Sequence, residues 1–180
     1  MDASAHKKNF LLTGIPAVGK TTVIIKLAEM LGEKAVGFYT RELRSSKRRE
    51  GFEIVSLKGE KALLAHVDFS SPYKVSKYKV KPLTLNPFVS QIKQALTAGE
   101  SSCFLIDEIG KMELFSSDFK QVVIEALDSP IPVVATVMQK NHPFCDELKN
   151  RWDVELTEIT LENRDEVPRW LFNQLAKLTR

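Results

Sequence analysis

The segment from Gly14 to Thr21 constrains the fold more strongly than any other part of the chain. It reads Gly-Ile-Pro-Ala-Val-Gly-Lys-Thr and matches the pattern G-x-x-x-x-G-K-[ST] at every fixed position. An apolar stretch at residues 9 to 13 precedes it, and residues 20 to 31 carry apolar side chains on one helical face. A strand that turns through glycines into a helix predicts backbone N–H groups converging on a phosphate.

The residue types in this loop predict how a triphosphate is held. Gly14 and Gly19 permit the tight turn, Lys20 reaches the β- and γ-phosphates, and the hydroxyl of Thr21 is a ligand for Mg²⁺. A chance glycine turn before an ordinary helix is the competing interpretation, and the flanking strand and helix disfavour it. The other predicted nucleotide-binding residues of the loop are Ile15, Pro16, Ala17, Val18 and Thr22.

An acidic pair forms the second candidate site. The apolar run at residues 102 to 106 ends in Asp107 and Glu108. We expect Asp107 to hold Mg²⁺ and Glu108 to act as the general base that polarises a water towards the γ-phosphate. The alternative for Glu108 is a turn cap or an ion pair with Lys111. Thr136 ends another apolar strand and either contacts the γ-phosphate and its water or bonds to its own backbone.

Strand-length apolar runs alternate with amphipathic helical segments, which predicts an α/β fold with a parallel sheet. A single domain over residues 1 to 180 is expected, as a three-layer sandwich with a mainly parallel five-stranded sheet. Residues 50 to 66 alternate around Lys58-Gly59-Glu60 and predict an inserted β-hairpin, part of a basic insertion at residues 41 to 85. The predicted strands are 9–13, 35–40, 102–106, 131–137 and 154–159, and the predicted helices are 20–31, 86–98, 116–127, 143–149 and 163–178.

Composition limits the classes of partner. The 180 residues include 26 Lys and Arg against 23 Asp and Glu, a net charge of +3, which is weak for a dedicated nucleic-acid binder. A hydrophobic share of 43% supports a packed core and excludes wholesale disorder. The polar start carries no apolar targeting segment, and Cys103 and Cys145 stand far apart, so we expect a cytoplasmic protein without a disulfide, a zinc site or a membrane partner.

Three basic features have two interpretations each. The run Arg41, Arg44, Lys47, Arg48 and Arg49 is either a clamp that stabilises a transferring phosphoryl group or a solvated loop. Lysines interleaved with Tyr and Val at residues 73 to 81 suit either nucleic acid or a guarded edge strand, and the edge strand is favoured. Arg151 beside Trp152 is a candidate for covering a nucleotide base or for acting as an arginine finger.

With both motifs placed, the chain resembles the cancer-related nucleoside-triphosphatase family of thermophiles and vertebrates. The resemblance implies a monomeric, RecA-like P-loop NTPase fold with an added strand between the P-loop strand and the acidic strand. It also implies slow Mg²⁺-dependent hydrolysis of several nucleoside triphosphates to the diphosphate and phosphate, with loose base specificity. The segments that carry it are FLLTGIPAVGKTT (10–22), GFYTRELR (37–44), RREGFEIVSL (48–57), IDEIGKMELFS (106–116) and TLENR (160–164).

The chain departs from the family pattern at three places. Ser46-Lys47 replaces a glycine pair, Ala17 stands where a third loop glycine is common, and only Arg151 remains of an R-x-R before the last strand. No guanine-reading N-K-x-D follows Thr136, so weak base specificity is expected. Two other functions stay open: a nucleoside or nucleotide kinase with an acceptor pocket near residues 50 to 66, and a nucleotide-gated nucleic-acid-binding module.

Overall fold

The computed structural model describes residues 7 to 46 and 48 to 178. Within these residues the strands are β1 (Asn9–Thr13), β2 (Ala35–Ser45), β3 (Arg48–Ser56), β4 (Lys61–His66), β5 (Tyr73–Val75), β6 (Tyr78–Val80), β7 (Cys103–Ile109), β8 (Val133–Val137) and β9 (Val154–Glu158). The α-helices are α1 (Lys20–Leu31), α2 (Asn86–Ala98), α3 (Ser117–Asp128), α4 (Pro143–Lys149) and α5 (Val167–Leu178).

All nine strands form one sheet in the order β5-β6-β4-β3-β2-β7-β8-β1-β9. The five strands from β2 to β9 in that order are parallel, and β8 lies between the P-loop strand β1 and the acidic strand β7. This confirms the predicted α/β fold and its added strand. The carboxyl ends of parallel strands meet at one edge, which brings the P-loop and the acidic pair together.

Helices cover both faces of the parallel strands and produce two cores. Helices α1 and α5 pack together on one face, where the core includes Phe10, Ile24 and Leu171. Helices α2 and α3 pack on the other face over a core that includes Phe38 and Phe119. The result is the three-layer arrangement that the alternating sequence pattern predicts.

The predicted hairpin is confirmed, but it continues the sheet beyond β2. Strand β2 runs to Ser45 and pairs antiparallel with β3, which pairs in turn with β4. The interpretation of residues 41 to 49 as a loop is therefore wrong, since Arg41 and Arg44 lie within β2 and Arg49 within β3. Cross-strand pairing of Arg41 with Glu53 stabilises this extension. Lys47 lies outside the described residues.

The lysine-rich segment forms the edge of the sheet, as the favoured interpretation expects. Strand β5 is the terminal strand and pairs only with β6 in the described sheet. Lys79 donates to the carbonyl of Val67 at 3.2 Å, and the Lys81 ammonium lies 4.0 Å from the ring centre of Phe69. These lysines are thus engaged within the protein while they cover an edge that would otherwise pair with another chain.

Two further element boundaries that bear on the site differ from the sequence prediction. Strand β7 continues to Ile109, with a register shift against β8 between Ile106 and Ile109. Helix α5 begins at Val167 because Thr160 and Asn163 build a hydrogen-bonded turn before it. In the described residues, no helix has the length and apolar character needed to cross a membrane.

Candidate active site

The P-loop lies at the carboxyl end of β1, and its two fixed glycines are required by close contacts. Gly14 has φ of +148°, and a Cβ there would lie 2.6 Å from the carbonyl oxygen of Ile159. Gly19 has φ of +116°, and a Cβ there would meet Cδ of Arg164 at 3.2 Å. Both glycines therefore allow the loop to pack against the turn that follows β9.

Ala17 departs from the family glycine at a position where the backbone matters. Its φ is +64°, in the left-handed region that L side chains disfavour. The side chain is exposed, so packing does not compensate for this conformation. The chain keeps the loop shape and accepts a local conformational cost.

Side chains around the loop divide between solvent, core and cavity. Val18 is buried and anchors the loop, whereas Ile15 is exposed. The Nζ of Lys20 donates to the carbonyls of Gly14 at 3.0 Å and Ile15 at 3.3 Å, so its ammonium lies over the loop. The predicted residues whose atoms line the main cavity are Gly14, Pro16, Ala17, Gly19, Lys20, Thr21 and Thr22.

Asp107 is the centre of a hydroxyl network at the edge of the sheet. Thr21 Oγ1 donates to Oδ2 of Asp107 at 2.8 Å, and Thr136 Oγ1 donates to Oδ1 at 2.6 Å. The N–H and the hydroxyl of Thr40 both lie 3.3 Å from Oδ2. Burial raises the pKa of this carboxyl, and the hydrogen bonds oppose that shift.

The Thr136 hydroxyl donates to Asp107, so the interpretation in which it bonds to its own backbone is wrong, and its contact with the γ-phosphate and the water stays a prediction. Thr40 takes part in the same network although sequence reasoning did not select it. The available signal was its position at the end of the apolar stretch of β2, beside the acidic strand in a parallel sheet.

The residues predicted to hold Mg²⁺ have suitable chemistry and lie together. Thr21 and Asp107 offer a hydroxyl and a carboxylate oxygen in mutual contact, and Mg²⁺ in nucleotide sites takes such ligands together with phosphates and waters. In the described part of the chain, no cluster of three or more His, Cys, Asp or Glu could hold a metal by protein ligands alone. The donor set fits an ion that is shared with a phosphate.

Glu108 follows Asp107 and lines the main cavity with Lys20 and Gly110. Burial raises the pKa of Glu108, the neighbouring Asp107 raises it further, and the Lys20 ammonium lowers it. A carboxylate at the end of β7 that lines the same cavity as the P-loop meets the positional requirement for a general base.

Glu113 is a second carboxyl at the same place, and sequence reasoning missed it. Its side chain is buried, and burial together with the nearby Glu108 raises its pKa to about 8. A Cβ on Gly110 would lie 3.2 Å from Oε2 of Glu113 and 3.4 Å from Cδ of Glu108, so the two carboxyl groups are neighbours. Sequence reasoning selects only Asp107 and Glu108 from the segment 106–116. The available signal for Glu113 was an acidic residue among apolar ones, which is typical of a functional carboxyl group.

The main cavity has a volume of about 700 Å³ and extends from the P-loop along β2 and β3. Its far half is lined by Arg41, Arg44, Arg49, Phe52 and Val75. Arg41 pairs with Glu53, and Glu42 accepts from both Arg44 at 2.7 Å and Arg49 at 2.6 Å. These arginines line the same cavity as Glu108. Their position is therefore compatible with a clamp that stabilises a transferring phosphoryl group.

The prediction that Arg151 binds nucleotide is wrong. Its guanidinium donates to Asp153 at 2.9 Å and to Asp128 at 2.8 Å, close to the start of β1 where Asn9 also contacts Asp153. The P-loop follows the other end of β1, so Arg151 lies at the opposite edge of the sheet. Trp152, its neighbour, is 72% exposed.

A P-loop after β1, an acidic pair on β7 and a strand between them define a P-loop NTPase. A family model described as NTPase matches residues 9–172. A nucleoside-triphosphatase THEP1 from Natranaerobius thermophilus is 46% identical over 173 residues, which cover 95% of this chain and 98% of that protein. The human cancer-related nucleoside-triphosphatase is 37% identical over 88% of this chain and 91% of its own.

Solved structures of two such proteins have the same fold as this chain. The crystal structure of THEP1 from Aquifex aeolicus superimposes with a TM-score of 0.83 at 34% identity, over 93% of this chain and 98% of that chain. The solution structure of the human protein gives 0.80 at 34% identity, over 94% and 98%. The chain belongs to this nucleoside-triphosphatase family, which confirms the resemblance inferred from its motifs.

Proposed function

We propose that the protein hydrolyses the β–γ phosphoanhydride of nucleoside triphosphates in the presence of Mg²⁺ and accepts several bases. The observation that carries this is the meeting of the P-loop, Asp107 and Glu108 at one end of the parallel strands. The triphosphate lies on the backbone N–H groups of the P-loop, and Lys20 neutralises the β- and γ-phosphates.

Glu108 does the proton chemistry in this proposal. It accepts a proton from a water as the water oxygen attacks the γ-phosphorus, and the bond from that phosphorus to the β-bridging oxygen breaks. Phosphate and the nucleoside diphosphate are the products. Thr21 and Asp107 would hold Mg²⁺, which would supply charge neutralisation to the phosphates. The cavity-facing arginines of β2 and β3 are candidates for stabilising charge on the transferring group.

Phosphate release from ATP, GTP, CTP and UTP tests the activity, the metal and the base range together. We expect turnover of all four with Mg²⁺, and loss of turnover with EDTA. Lys20→Ala should lower kcat/KM about 100-fold because it removes a charge that contacts the phosphates. Lys93→Ala removes the same charge from an exposed position on helix α2 that lines neither cavity, and it is the control. Activity on one base alone, or activity unchanged by EDTA, contradicts the proposal.

A kinase is the second candidate, and the far half of the main cavity is the observation that favours it. Phe52, Val75 and Met112 give that half an apolar wall near Glu108, with room for an acceptor. A kinase places the γ-phosphoryl group on an acceptor hydroxyl instead of water. Addition of nucleosides and nucleoside monophosphates to γ-labelled ATP distinguishes the two: a labelled organic product supports the kinase, and free phosphate alone supports hydrolysis.

A further inference from the structure

A side cavity adjoins the P-loop on the side away from β2. It has a volume of about 230 Å³ and is lined by Gly19, Thr22, Arg164 and Asp165. Gly19 and Thr22 also line the main cavity, so the two spaces meet at the start of α1. Nothing in the hydrolysis described above uses Arg164 or Asp165.

The order of phosphates along the P-loop determines which end of the nucleotide reaches this space. The γ-phosphate must lie beside Glu108, towards β7 and the far half of the main cavity. The α-phosphate then lies at the opposite end of the loop, near Thr22 at the start of α1. The nucleoside that follows the α-phosphate therefore leaves the P-loop beside Arg164. This step rests on the proposed function, because it takes its direction from the proposed base.

Arg164 is held in a fixed position by the turn after β9. The N–H of Arg164 donates to the carbonyl of Thr160 at 3.1 Å, and the side-chain oxygen of Asn163 accepts from the N–H of Thr160 at 2.9 Å. Nη1 of Arg164 donates to the carbonyl of Val18 at 3.2 Å. These contacts hold the planar guanidinium against the P-loop. Because the side chain is already ordered in the folded protein, ligand binding costs little additional side-chain entropy at Arg164.

We propose that Arg164 and Asp165 form the nucleoside subsite, in which the Arg164 guanidinium lies against the face of the base. A guanidinium plane stacks on any base because every base has a π face, and such contacts are tolerant of sequence. Asp165 is exposed and bonded to Lys26 at 3.1 Å, so it stands at the rim of the side cavity. Because stacking uses the face of the base and not its edges, the Arg164 contact gives affinity for nucleosides with little choice between them.

Binding of nucleoside diphosphates and of pyrophosphate, both with Mg²⁺ and followed by calorimetry, tests this subsite without relying on turnover. Arg164→Ala should raise Kd for ADP, GDP, CDP and UDP about tenfold each, which is the stacking contribution expected of one such contact. Kd for pyrophosphate should change less than about twofold, since it lacks the nucleoside. Arg169→Ala removes the same charge from an exposed position on α5 and should leave every Kd unchanged.

Arg164→Lys separates stacking from charge. We expect it to bind the diphosphates as weakly as Arg164→Ala does, because an ammonium keeps the charge and loses the plane. Equal weakening of pyrophosphate and diphosphates, or full rescue by lysine, overturns the subsite and makes Arg164 a phosphate or loop-positioning residue. Unchanged binding in Arg164→Ala together with weaker diphosphate binding in Phe52→Ala places the nucleoside in the main cavity instead. A wild-type protein that binds none of these ligands contradicts the proposed function itself.

Discussion

Ala17 holds a left-handed backbone conformation that glycine adopts without a steric penalty. We expect Ala17→Gly to raise the free energy of unfolding by about 1 kcal/mol, because the cost of a Cβ at positive φ disappears. Urea unfolding of the protein without nucleotide measures the change. Ala95→Gly, the same substitution inside helix α2, should lower stability by about 0.5–1 kcal/mol. Destabilisation in both variants would contradict the strain at Ala17.

Glu113 makes stability depend on pH in a definite direction. Its pKa is about 8 in the folded protein against an ordinary value of 4.5, so the folded state holds a proton that the unfolded state releases. Stability from this group is full below about pH 4.5 and is lost as the pH rises through about 8. Glu113→Gln should show a shallower decline between pH 5 and pH 9 in urea unfolding, whereas Glu166→Gln, at an exposed position, should follow the wild type. Parallel curves for Glu113→Gln and wild type would show that Glu113 is ionised in the fold.

At the scale of elements, Arg151 links the start of β1 and β9 to the end of α3 through ion pairs. Arg151 satisfies Asp153, whose side chain is 2% exposed, and also bonds Asp128. We expect Arg151→Ala to lower the free energy of unfolding by about 2 kcal/mol, since a buried carboxylate loses its charged donor. KM and kcat of the folded variant should stay within about twofold of wild type, because Arg151 and the P-loop lie at opposite edges of the sheet and distant sites act nearly independently. A raised KM with unchanged stability would restore Arg151 to the nucleotide site.

The elements that sequence predicted best are those with one strong local cause. Steric limits and hydrophobic periodicity within short segments determine three of them: the glycine loop, the apolar strands of the parallel core, and helix α2 with its closing glycine. For strand β2, the sequence predicts an end at residue 40, because the polar and basic residues beyond it are typical of a loop, whereas the strand continues to Ser45. Its extension depends on cross-strand partners such as Glu53, which only the pairing register brings opposite Arg41.

The same distinction holds for the site. Lys20, Thr21, Asp107 and Glu108 could be predicted as site residues because each stands in a short motif whose chemistry requires its residue type. Thr40 and Arg164 were missed because their contacts are to distant segments of the chain. Glu113 was missed because its burial beside Glu108 depends on the folded turn between them. Arg151 illustrates the reverse case, since a lone arginine in a sequence carries no sign of the two carboxylates that hold it.

For the whole molecule, the sheet order explains why hydrolysis and nucleotide binding can be separated. Strand β8 stands between β1 and β7, so the loop proposed to bind the phosphates and the carboxylate proposed to activate water come from different strands. A change at Glu108 should therefore alter the chemical step while the P-loop still binds nucleotide. The side cavity lies on the β1 side and the arginine-lined half on the β2 side, so a nucleotide bound as proposed would span this edge.

The most direct measurement is phosphate release by Glu108→Gln, with nucleotide affinity measured on the same preparation. We expect kcat to fall at least about 100-fold, the contribution of a general base, while Kd for ADP with Mg²⁺ changes by less than about twofold. Glu166→Gln, at an exposed position that lines neither cavity, should keep wild-type kcat. A Glu108→Gln variant that hydrolyses ATP at the wild-type rate would contradict the role of Glu108 as the base.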